Sequence, residues 1–373
     1  MHMKVGCVKE IKKHEYRVGL TPDNVHAYCS HGHSVTIEKD AGKGSGFSDD
    51  DYVKMGAMIV PTAEVVWNTC DMVVKVKEPM SQEYPMMREG QILFTYLHLA
   101  ADRPLTDALL KNKVKAVAYE TIRSRQNGLP LLKPMSEVAG RLSIQEGAKC
   151  LEKPMGGMGV LLGGVPGVPK ANVLIIGAGT VGTNACKMAL GLGANVTIMD
   201  SDLNRLTYLD DIFGAKVQTL FSQDAMIEQE IKKADLVIGS VLIPGAAAPK
   251  LIKKKYLAEM KKGSVIVDVA VDQGGCCETT KATYHDDPTF VVDGVVHYCV
   301  ANMPGAVART STIALTNATL YYGLQLANKG LEAAVKNDEG FLLGVNCYNG
   351  GLTCKEVAEH FSLPYSDVRQ FIA

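Results

Sequence analysis

Two side chains of this sequence have the type and position that proton-transfer chemistry needs. His98 lies in the apolar run FTYLHLA, and histidine most readily carries a proton near neutral pH. Asp272 ends the run SVIVDVAVD, and the glycines that follow allow a tight or mobile turn. A lone histidine in such a run is more often a core residue, and an aspartate before glycines is often only a turn cap. The residues by themselves leave both alternatives open.

Three cations are candidates for holding or polarising an anionic substrate. Lys75 and Lys77 share one side of the apparent strand DMVVKVK, and Lys77 is nearer to its carboxyl end. Open α/β sheets bind ligands outside the carboxyl ends of their strands, which favours Lys77. Arg17, in KKHEYRVGLTP, offers a planar fork that matches a carboxylate. The alternatives are a pair of solvated lysines and an ion pair between Arg17 and an acid such as Glu15.

The run GAGTVG at residues 177–182 matches the G-x-G-x-x-G pattern of dinucleotide-binding turns. An apolar run, VLII, precedes it and a helix-like run follows, which is the context that the pattern requires. Gly177 allows the tight turn, Gly179 lets the backbone approach a pyrophosphate, and Gly182 permits close helix–strand packing. The phosphates would lie on the amides at the start of the helix, beside Thr180 and Val181.

An acid at the end of the next strand indicates which dinucleotide is bound. Asp200 follows Gly177 by 23 positions, where a carboxylate hydrogen-bonds the ribose hydroxyls and repels a 2′-phosphate. Arg205 is a counterargument, since a nearby arginine can accept that phosphate, but Asp200 and Asp202 together outweigh it. The sequence therefore predicts NAD rather than NADP. Asp268, in mid-strand, is expected to be structural or to lie near the nicotinamide.

Strand-like and helix-like segments alternate along most of the chain and predict an α/β fold. Strands are predicted at 4–8, 34–38, 71–77, 91–97, 114–119, 171–176, 195–199, 235–239, 264–269 and 289–292. Helices are predicted from Thr21 and Pro22, over 136–151, from Thr310 to about Lys336, and through most of the last forty residues. The pattern predicts two doubly wound parallel-sheet domains: a Rossmann dinucleotide-binding domain at 134–304, inserted into an outer substrate domain at 1–133 and 305–373.

Composition excludes several classes of protein. The 373 residues suggest two domains at about 100–200 residues each, and the net charge of -1 gives no global field for nucleic acid or an anionic membrane. Ten scattered cysteines without a C-x-x-C pair are typical of a reducing compartment and argue against a disulfide scaffold or structural zinc. No signal stretch or apolar run of spanning length is evident, so we expect a cytoplasmic protein. His31 and His33 are expected to flank a turn rather than to bind metal.

Eight runs occur in an order that resembles the alanine dehydrogenase family along essentially the whole chain. They are KKHEYRVGLTP, KVKEP, LHLA, PLLKPMSEVAGR, GGVPGV, VLIIGAGTVG, DQGG and ANMPGAVARTST. The same superfamily includes the NAD-binding subunit of proton-translocating transhydrogenase and the saccharopine dehydrogenases. KVKEP and VANMPGAV are shared with the transhydrogenase subunit and discriminate less.

The resemblance implies roles for the candidate residues. Arg17 would bind the substrate carboxylate, Lys77 would contact the carbonyl or amine, and His98 and Asp272 would be the acid/base residues. The implied NAD contacts outside the glycine turn are Ser136, Asp200, Arg205, Ser222, Val241, Leu242, Asp268, Val269, Ala270, Val271, Asn302 and Met303.

The function that the resemblance implies is NAD-dependent interconversion of L-alanine with pyruvate and ammonium by a homohexamer. The first alternative is a transhydrogenase-type subunit that passes hydride to a membrane partner. The second is a binding or regulatory protein that keeps the fold without turnover. Neither alternative would need the set of Arg17, Lys77, His98 and Asp272.

Overall fold

The structure, a computed structural model, describes residues 2–241 and 248–372. The chain divides into two compact units. The first comprises Met1–Met135 and Gly305–Ala373, and the second comprises Ser136–Pro304. Within the described residues, no helix combines the length and the apolar character needed to cross a membrane.

The strands are short and most are buried on both faces. In chain order they are β1 (Lys4–Cys7), β2 (Ser34–Glu38), β3 (Met58–Val60), β4 (Met72–Val74), β5 (Ile92–Thr95), β6 (Lys115–Ala118), β7 (Asn172–Ile176), β8 (Asn195–Asp200), β9 (Val217–Phe221), β10 (Leu236–Gly239), β11 (Val265–Asp268), β12 (Thr289–Val292), β13 (Val295–Tyr298), β14 (Val345–Tyr348) and β15 (Gly351–Leu352). Two-sided burial of this kind is expected in parallel sheets, whose connecting helices cover both faces.

Most helices begin and end at residues that favour a helix terminus. They are α1 (Pro22–Ser30), α2 (Asp49–Lys54), α3 (Ala63–Thr69), α4 (Arg103–Lys111), α5 (Lys133–Cys150), α6 (Thr180–Gly191), α7 (Leu203–Phe213), α8 (Asp224–Ile231), α9 (Lys254–Leu257), α10 (Ala308–Lys329), α11 (Leu331–Val335), α12 (Glu339–Leu342) and α13 (Lys355–Phe361). Thr21 caps α1 by accepting from the Asn24 amide, and Pro22 follows, so the predicted helix start is confirmed.

The first unit is built on an eight-stranded sheet in the order β15-β14-β6-β5-β4-β1-β2-β3. Strands β1 to β6 pair in parallel, whereas β14 and β15 add in antiparallel fashion at one edge. The strand order reverses at β1, which lies between β2 and β4. In open α/β sheets such a reversal opens a crevice at the carboxyl ends of the strands.

The second unit is built on a seven-stranded sheet in the order β12-β13-β11-β10-β7-β8-β9. All pairs are parallel except β12 with β13, and the order reverses at β7. The glycine turn predicted from the sequence follows β7, at this reversal. The α/β class and the mostly parallel sheets are confirmed in both units.

Several predicted boundaries were wrong. Helix α5 begins at Lys133, three residues before the predicted start, because Pro134 is compatible with a first helical turn. The helical stretch predicted to run to about Lys336 is interrupted at Gly330, which adopts a positive φ of 78°, and continues as α11 to Val335. The last forty residues include β14 and β15 as well as helix. Of the strand predicted at 71–77, only Met72–Val74 forms a β-strand.

Candidate functional site

Three of the predicted site residues lie at one edge of the first unit's sheet. Lys77 follows the end of β4, His98 follows the end of β5, and Arg17 lies in the connection from β1 to α1. Strands β1, β4 and β5 are parallel neighbours, with Val5 paired to Met72 and Val74 to Phe94. Their carboxyl ends therefore share the edge where α/β sheets bind ligands.

Arg17 is buried and held by a neighbouring acid that the sequence offered only as an alternative partner. Its Nε donates to Glu15 Oε1 at 2.7 Å, and its Nη2 donates to Glu15 Oε2 at 2.6 Å. Nη1 donates to the sulfur of Met135 at 3.1 Å. Burial alone would lower the pKa of Arg17, but the charge and hydrogen bonds of Glu15 raise it. The guanidinium is thus fixed in position and permanently charged.

The structure distinguishes the two lysines that periodicity could not separate. Lys75 is fully buried, and its Nζ lies 3.2 Å from Glu10 Oε2 and 3.0 Å from Glu83 Oε1. Burial by itself would lower the pKa of Lys75, but the two glutamates raise it. Both neighbouring carboxylates therefore pair with Lys75 inside the protein, and Lys75 is a structural residue.

Lys77 is only half-buried, and its backbone is fixed on both sides. Its amide donates to Glu10 Oε1 at 3.2 Å, and its carbonyl accepts from the Thr95 hydroxyl at 3.0 Å. Glu10 thus pairs with Lys75 through one oxygen and aligns the Lys77 segment through the other. The half-buried lysine is the one that can meet a ligand at the sheet edge.

His98 is not a core residue, although its sequence neighbours are apolar. Its side chain is 44% exposed, and its backbone adopts the left-handed conformation with φ of 49°. Non-glycine residues in this conformation are uncommon and cluster at functional sites. The Glu120 carboxylate stabilises it by accepting from the His98 amide at 2.6 Å. The ring also stacks on Tyr96, with centroids 5.8 Å apart.

A carboxylate orients the imidazole of His98. Nδ1 lies 3.3 Å from Glu78 Oε2, and the other oxygen of Glu78 pairs with Lys12. Burial opposes ionisation of Glu78, but the hydrogen bond from His98, the charge of Lys77 and the hydrogen bond from Lys12 outweigh it and hold its pKa well below its usual range. An ionised Glu78 favours a proton on Nδ1, which leaves Nε2 to accept one. This is the arrangement of an oriented general base.

The glycine turn of the second unit leaves room where a pyrophosphate would lie. A Cβ on Gly182 would stand 1.8 Å from Gly177 O, and one on Gly177 would stand 2.9 Å from Ser240, so neither position tolerates a side chain. A Cβ on Gly179 would meet nothing within 4 Å. Helix α6 starts there without a side-chain cap. Ser240 fixes the turn by donating to the carbonyls of Ile176 and Gly177. This cradle fits a dinucleotide.

Asp200 and Arg205 lie on either side of Ala178 in that turn. Asp200 Oδ2 accepts from the Ala178 amide at 2.6 Å, and Oδ1 accepts from the Asp202 amide at 2.9 Å. Arg205 Nε donates to the Ala178 carbonyl at 2.6 Å, and Nη2 donates to the Thr183 hydroxyl at 2.7 Å. The carboxylate therefore stands at the end of β8, the position that binds ribose hydroxyls in such folds.

Asp272 lies in an exposed turn that a second aspartate supports. It stands in the short 3-10 turn Val271–Gln273 after β11, and the Asn302 amide donates to its Oδ2 at 3.5 Å. Asp268 is fully buried and accepts from the amides of Ala270 and Cys277. It also accepts from the Cys276 thiol and the Thr280 hydroxyl. These hydrogen bonds give Asp268 the structural role that the sequence left open. They also fix the backbone on both sides of the turn that contains Asp272.

The other expected cofactor residues belong to the second unit. Ser136 is half-buried in α5, Ser222 follows β9, and Met303 is buried at the start of a 3-10 helix. Val241 is half-buried just after β10, and Leu242 lies outside the described residues.

His33 has a structural explanation. Its Nδ1 accepts from the Met3 amide, and its Nε2 lies 2.9 Å from Asn328 Oδ1. Across 2–241 and 248–372, no group of three or more His, Cys, Asp or Glu side chains is arranged to hold a metal ion.

Fold and site together define a two-unit α/β protein: one unit carries a dinucleotide-binding turn, and the other carries a cationic sheet edge with an oriented histidine. The chain belongs to the alanine dehydrogenase/PNT family. The family model of the N-terminal domain matches residues 6–139, and that of the C-terminal domain matches residues 143–355.

Known proteins resemble the chain over its full length. "Alanine dehydrogenase 2" of Staphylococcus aureus (strain USA300) is 57% identical over 369 residues, which cover 99% of each chain. "Alanine dehydrogenase" of Staphylococcus haemolyticus is 58% identical over 367 residues, 98% of each. A solved L-alanine dehydrogenase superposes with a TM-score of 0.94 at 52% identity, covering 96% of this chain and 99% of that one. A transhydrogenase from Sinorhizobium meliloti gives a TM-score of 0.80 at 25% identity, covering 94% and 98%.

Sequence reasoning missed the acids that position the candidates. Glu78 and Glu120 hold the ring and the backbone of His98, and Glu10 aligns Lys77. Glu78 adjoins Lys77 in KVKEP, so an acid beside a candidate cation was a usable signal. Glu10 and Glu120 lie 67 and 22 positions from the residues that they hold, and no local pattern connects them.

Proposed function

We propose that the protein is an NAD-dependent alanine dehydrogenase. It would convert L-alanine, NAD⁺ and water to pyruvate, ammonium, NADH and a proton, and would run the reverse reductive amination. The observation that carries the proposal is the buried Arg17, anchored by Glu15 at the sheet edge that also bears Lys77 and His98. The full-length identity of more than half to alanine dehydrogenases supports it.

Arg17 would bind the substrate carboxylate. Glu15 anchors the guanidinium by accepting from Nε and Nη2. A planar guanidinium binds a carboxylate in a bidentate manner, which fixes the orientation of the small substrate. A methyl pocket would discriminate weakly, since one methylene is worth about 1–3 kcal/mol. Slower turnover of slightly larger 2-amino acids is therefore expected.

The proton transfers would involve His98 and Asp272. Oxidation at Cα needs the free amine and yields an iminium ion, and water must then lose a proton as it attacks. His98 Nε2 can accept a proton while Glu78 stabilises the cation that forms. Lys77 would polarise the carbonyl oxygen in the reductive direction. Asp272, the acid/base candidate of the second unit, stands exposed on its turn.

NAD, when bound, supplies the hydride acceptor. Gly177, Gly179 and Gly182 would form its pyrophosphate cradle with the amides of Thr180 and Val181. Asp200 would accept from the ribose hydroxyls and, with Arg205 and Ser222, border the adenosine. The further contacts that we propose are Ser136, Val241, Leu242, the backbone of Asp268, Val269, Ala270 and Val271, and the loop of Asn302 and Met303.

We also propose a homohexamer located in the cytoplasm, with no nucleic-acid or membrane partner. Large apolar side chains such as Leu161, Val168 and Tyr321 are each more than half exposed, as subunit interfaces require. All ten cysteines carry free thiols, which suits a reducing compartment.

The spectrophotometric formation of NADH with L-alanine, measured against a panel of amino acids, tests the proposal. L-Alanine should give the highest kcat/KM. The rival is a transhydrogenase-type module, which would bind NADH but oxidise no amino acid. NADH binding without turnover of any 2-amino acid would therefore refute the dehydrogenase and favour the module, for which the lower identity of 25% to a transhydrogenase gives less support.

A further inference from the structure

Gly19 packs directly on the backbone at the end of β4. A Cβ at this position would stand 2.9 Å from the Val74 carbonyl oxygen and 3.2 Å from Lys75 Cα. The φ of Gly19 is not positive, so close packing rather than an unusual backbone conformation requires glycine here. Because Gly19 comes two residues after Arg17, this contact fixes how closely the segment of the arginine approaches β4.

The backbone beneath Gly19 is held from several sides. The Lys75 amide donates to the Phe94 carbonyl at 3.1 Å, and the Tyr119 hydroxyl donates to the Lys75 carbonyl at 3.0 Å. Two glutamates enclose the side chain of Lys75. Protein interiors are close-packed and yield little to added atoms, so this part of the sheet would not move to accept a methyl group on Gly19.

Lys77 is tied to the same part of the backbone. The Glu10 carboxylate accepts from the Val76 amide at 2.6 Å and from the Lys77 amide at 3.2 Å. The other oxygen of Glu10 pairs with Lys75. One short stretch of backbone therefore supports both Lys77 and the segment of Arg17.

The segment of Arg17 lies outside the sheet and is held by hydrogen bonds to other elements. The Val18 amide donates to the Thr312 hydroxyl at 3.2 Å, and the Tyr52 hydroxyl donates to the Leu20 carbonyl at 2.8 Å. A methyl group added to the glycine would therefore displace this segment, and Arg17 with it, relative to the end of β4.

We propose that Gly19 is a positioning residue that sets the separation of Arg17 and Lys77, and that this separation selects acids whose carbonyl adjoins the carboxylate. The inference rests on the proposed function, in which Arg17 binds the carboxylate and Lys77 contacts the carbonyl oxygen. Misplacement of a small substrate by about 1 Å can cost on the order of 10²-fold in rate. The smaller displacement that a methyl group here demands should cost on the order of 10-fold.

Two substitutions test the two sides of this arrangement. Gly19→Ala displaces the segment of Arg17. Glu10→Asp keeps the buried negative charge but draws the carboxylate back by one methylene from the amide of Lys77. Both should therefore alter the separation of the two cations without removing either of them.

Gly163→Ala provides a matched control. A Cβ on Gly163 would stand 2.6 Å from the Leu192 carbonyl oxygen, so the substitution crowds a backbone carbonyl as Gly19→Ala does. Gly163 belongs to the second unit, which contains neither Arg17 nor Lys77. The control therefore reports the general effect of such crowding on the protein.

The first measurement is kcat/KM of the full-length protein for glyoxylate, pyruvate and 2-oxobutyrate, with ammonium and NADH. Gly19→Ala and Glu10→Asp should lower it on the order of 10-fold and by the same factor for all three acids. The factor should be common because the acids share the carboxylate–carbonyl unit and differ only in the side chain. Gly163→Ala should leave kcat/KM unchanged.

The second measurement compares two competitive inhibitors of pyruvate reduction. Oxamate has a carbonyl next to its carboxylate and would use both Arg17 and Lys77, whereas propionate has the carboxylate alone. Gly19→Ala should raise the inhibition constant of oxamate on the order of 10-fold and change that of propionate little. A merely structural defect would not distinguish the two inhibitors.

Several results would overturn the proposal. They are an unchanged kcat/KM in Gly19→Ala, a loss that grows with the side chain of the acid, equal weakening of oxamate and propionate, and an equal loss in Gly163→Ala. If Gly19→Ala does not fold, Glu10→Asp is judged by the same criteria. The parent protein is measured first, and a parent that reduces none of the three acids would refute the proposed function itself.

Discussion

At the scale of single residues, burial and charged partners decide which side chains can act on a ligand. Lys75 and Lys77 are two positions apart, yet two glutamates enclose the first and the second is half-buried at the sheet edge. Arg17 and His98 each have a carboxylate partner that sets their orientation. Replacing a candidate side chain should therefore have a different effect from replacing the carboxylate that orients it.

Arg17→Lys should impair pyruvate reduction although the charge is kept. Lysine cannot make the two parallel bonds of a guanidinium, and charge-assisted hydrogen bonds contribute about 1.5–3 kcal/mol. The kcat/KM for pyruvate should fall on the order of 10–100-fold or more, while NADH affinity, measured by fluorescence without pyruvate, should change little. Arg103→Lys, at an exposed ion pair with Asp107, is the control and should change neither. Unchanged pyruvate kinetics in Arg17→Lys would show that Arg17 is not the carboxylate clamp.

His98→Asn should lower turnover by about 10²-fold or more, the scale of lost acid–base catalysis. Glu78→Gln should lower it less, because the imidazole remains but loses its orienting charge. NADH binding should persist in both variants, since the residues belong to the unit without the glycine turn. His31→Asn, at an exposed helix end, serves as the control. Near-full activity of His98→Asn would remove the histidine from the mechanism.

At the scale of elements, the proposed site residues lie mostly at the ends of strands and the starts of helices. The turn from β7 to α6 combines glycines that allow close backbone packing with one, Gly179, that opens onto free space. The turn after β11 is tied down by the buried Asp268. Strand β13 contributes the buried His297, whose pKa is lowered by burial.

Gly179→Ala should fold normally and bind NADH weakly. Its φ of -67° suits alanine, and its Cβ would meet no protein atom within 4 Å, but the methyl would occupy the space of the pyrophosphate. The Kd for NADH should rise by at least about 10-fold while Tm stays within a few degrees. Gly191→Ala, at the exposed end of the same helix, is the matched control for both measurements. Equal NADH affinity in the two variants would contradict the placement of the pyrophosphate.

His297 should make the protein less stable in mild acid. Its Nδ1 donates to the Val295 carbonyl at 3.0 Å, and its Nε2 accepts from the Thr279 hydroxyl at 2.8 Å, so the folded state holds the neutral ring. Burial lowers its pKa, while the unfolded chain protonates near about 6.5. Its stabilising contribution is therefore fully present above about pH 6.5 and is lost as the pH falls towards the lower folded pKa.

The free energy of unfolding measured in urea at about pH 7.5 and 5.5 checks this expectation. His297→Gln should show a smaller decrease between the two pH values than the parent. His360→Gln, at an exposed position in α13, should behave like the parent. An identical decrease in all three proteins would assign the acid sensitivity to other groups.

At the scale of the whole molecule, the proposed function assigns substrate binding mainly to the first unit and cofactor binding mainly to the second. The chain crosses from the first unit to the second within α5 and returns in the 3-10 helix Met303–Val307. Exposed apolar side chains lie in both units, with Ile313 and Tyr321 in the first and Leu161 and Val168 in the second. Exposed apolar side chains of this kind are available to subunit interfaces, and we expect self-association.

Light scattering coupled to size-exclusion chromatography should give a mass six times the 40.1 kDa of one chain. Replacing Tyr321 with serine should reduce that mass if α10 contributes to an interface, because aromatic side chains often dominate interface energetics. Thr207→Ser, at another exposed helical position, controls for surface substitution. A 40.1 kDa species at micromolar concentration would contradict the hexamer.

Local patterns in the sequence determined the α/β class, the glycine turn after β7 and the preference for NAD, because each depends on a short segment or, for Asp200, on a spacing of 23 positions from Gly177. These local patterns failed where strands and helices no longer alternate along the chain. Strand β14, VNCY, is buried on both faces and is too short to show the residue alternation that identifies a strand. The C-terminal region was therefore expected to be helical. Strands β3, β9 and β13 were also missed.

Only the tertiary structure decided which candidates are exposed at the sheet edge and which residues hold them. Glu10 lies 65 positions from Lys75, and Lys12 lies 66 positions from Glu78, so strand order rather than sequence proximity creates these pairs. The same order brings the ends of β1, β4 and β5 to one edge and exposes His98 from an apolar run. Burial and charge pairing depend on which strands become neighbours, and that depends on packing of the whole sheet.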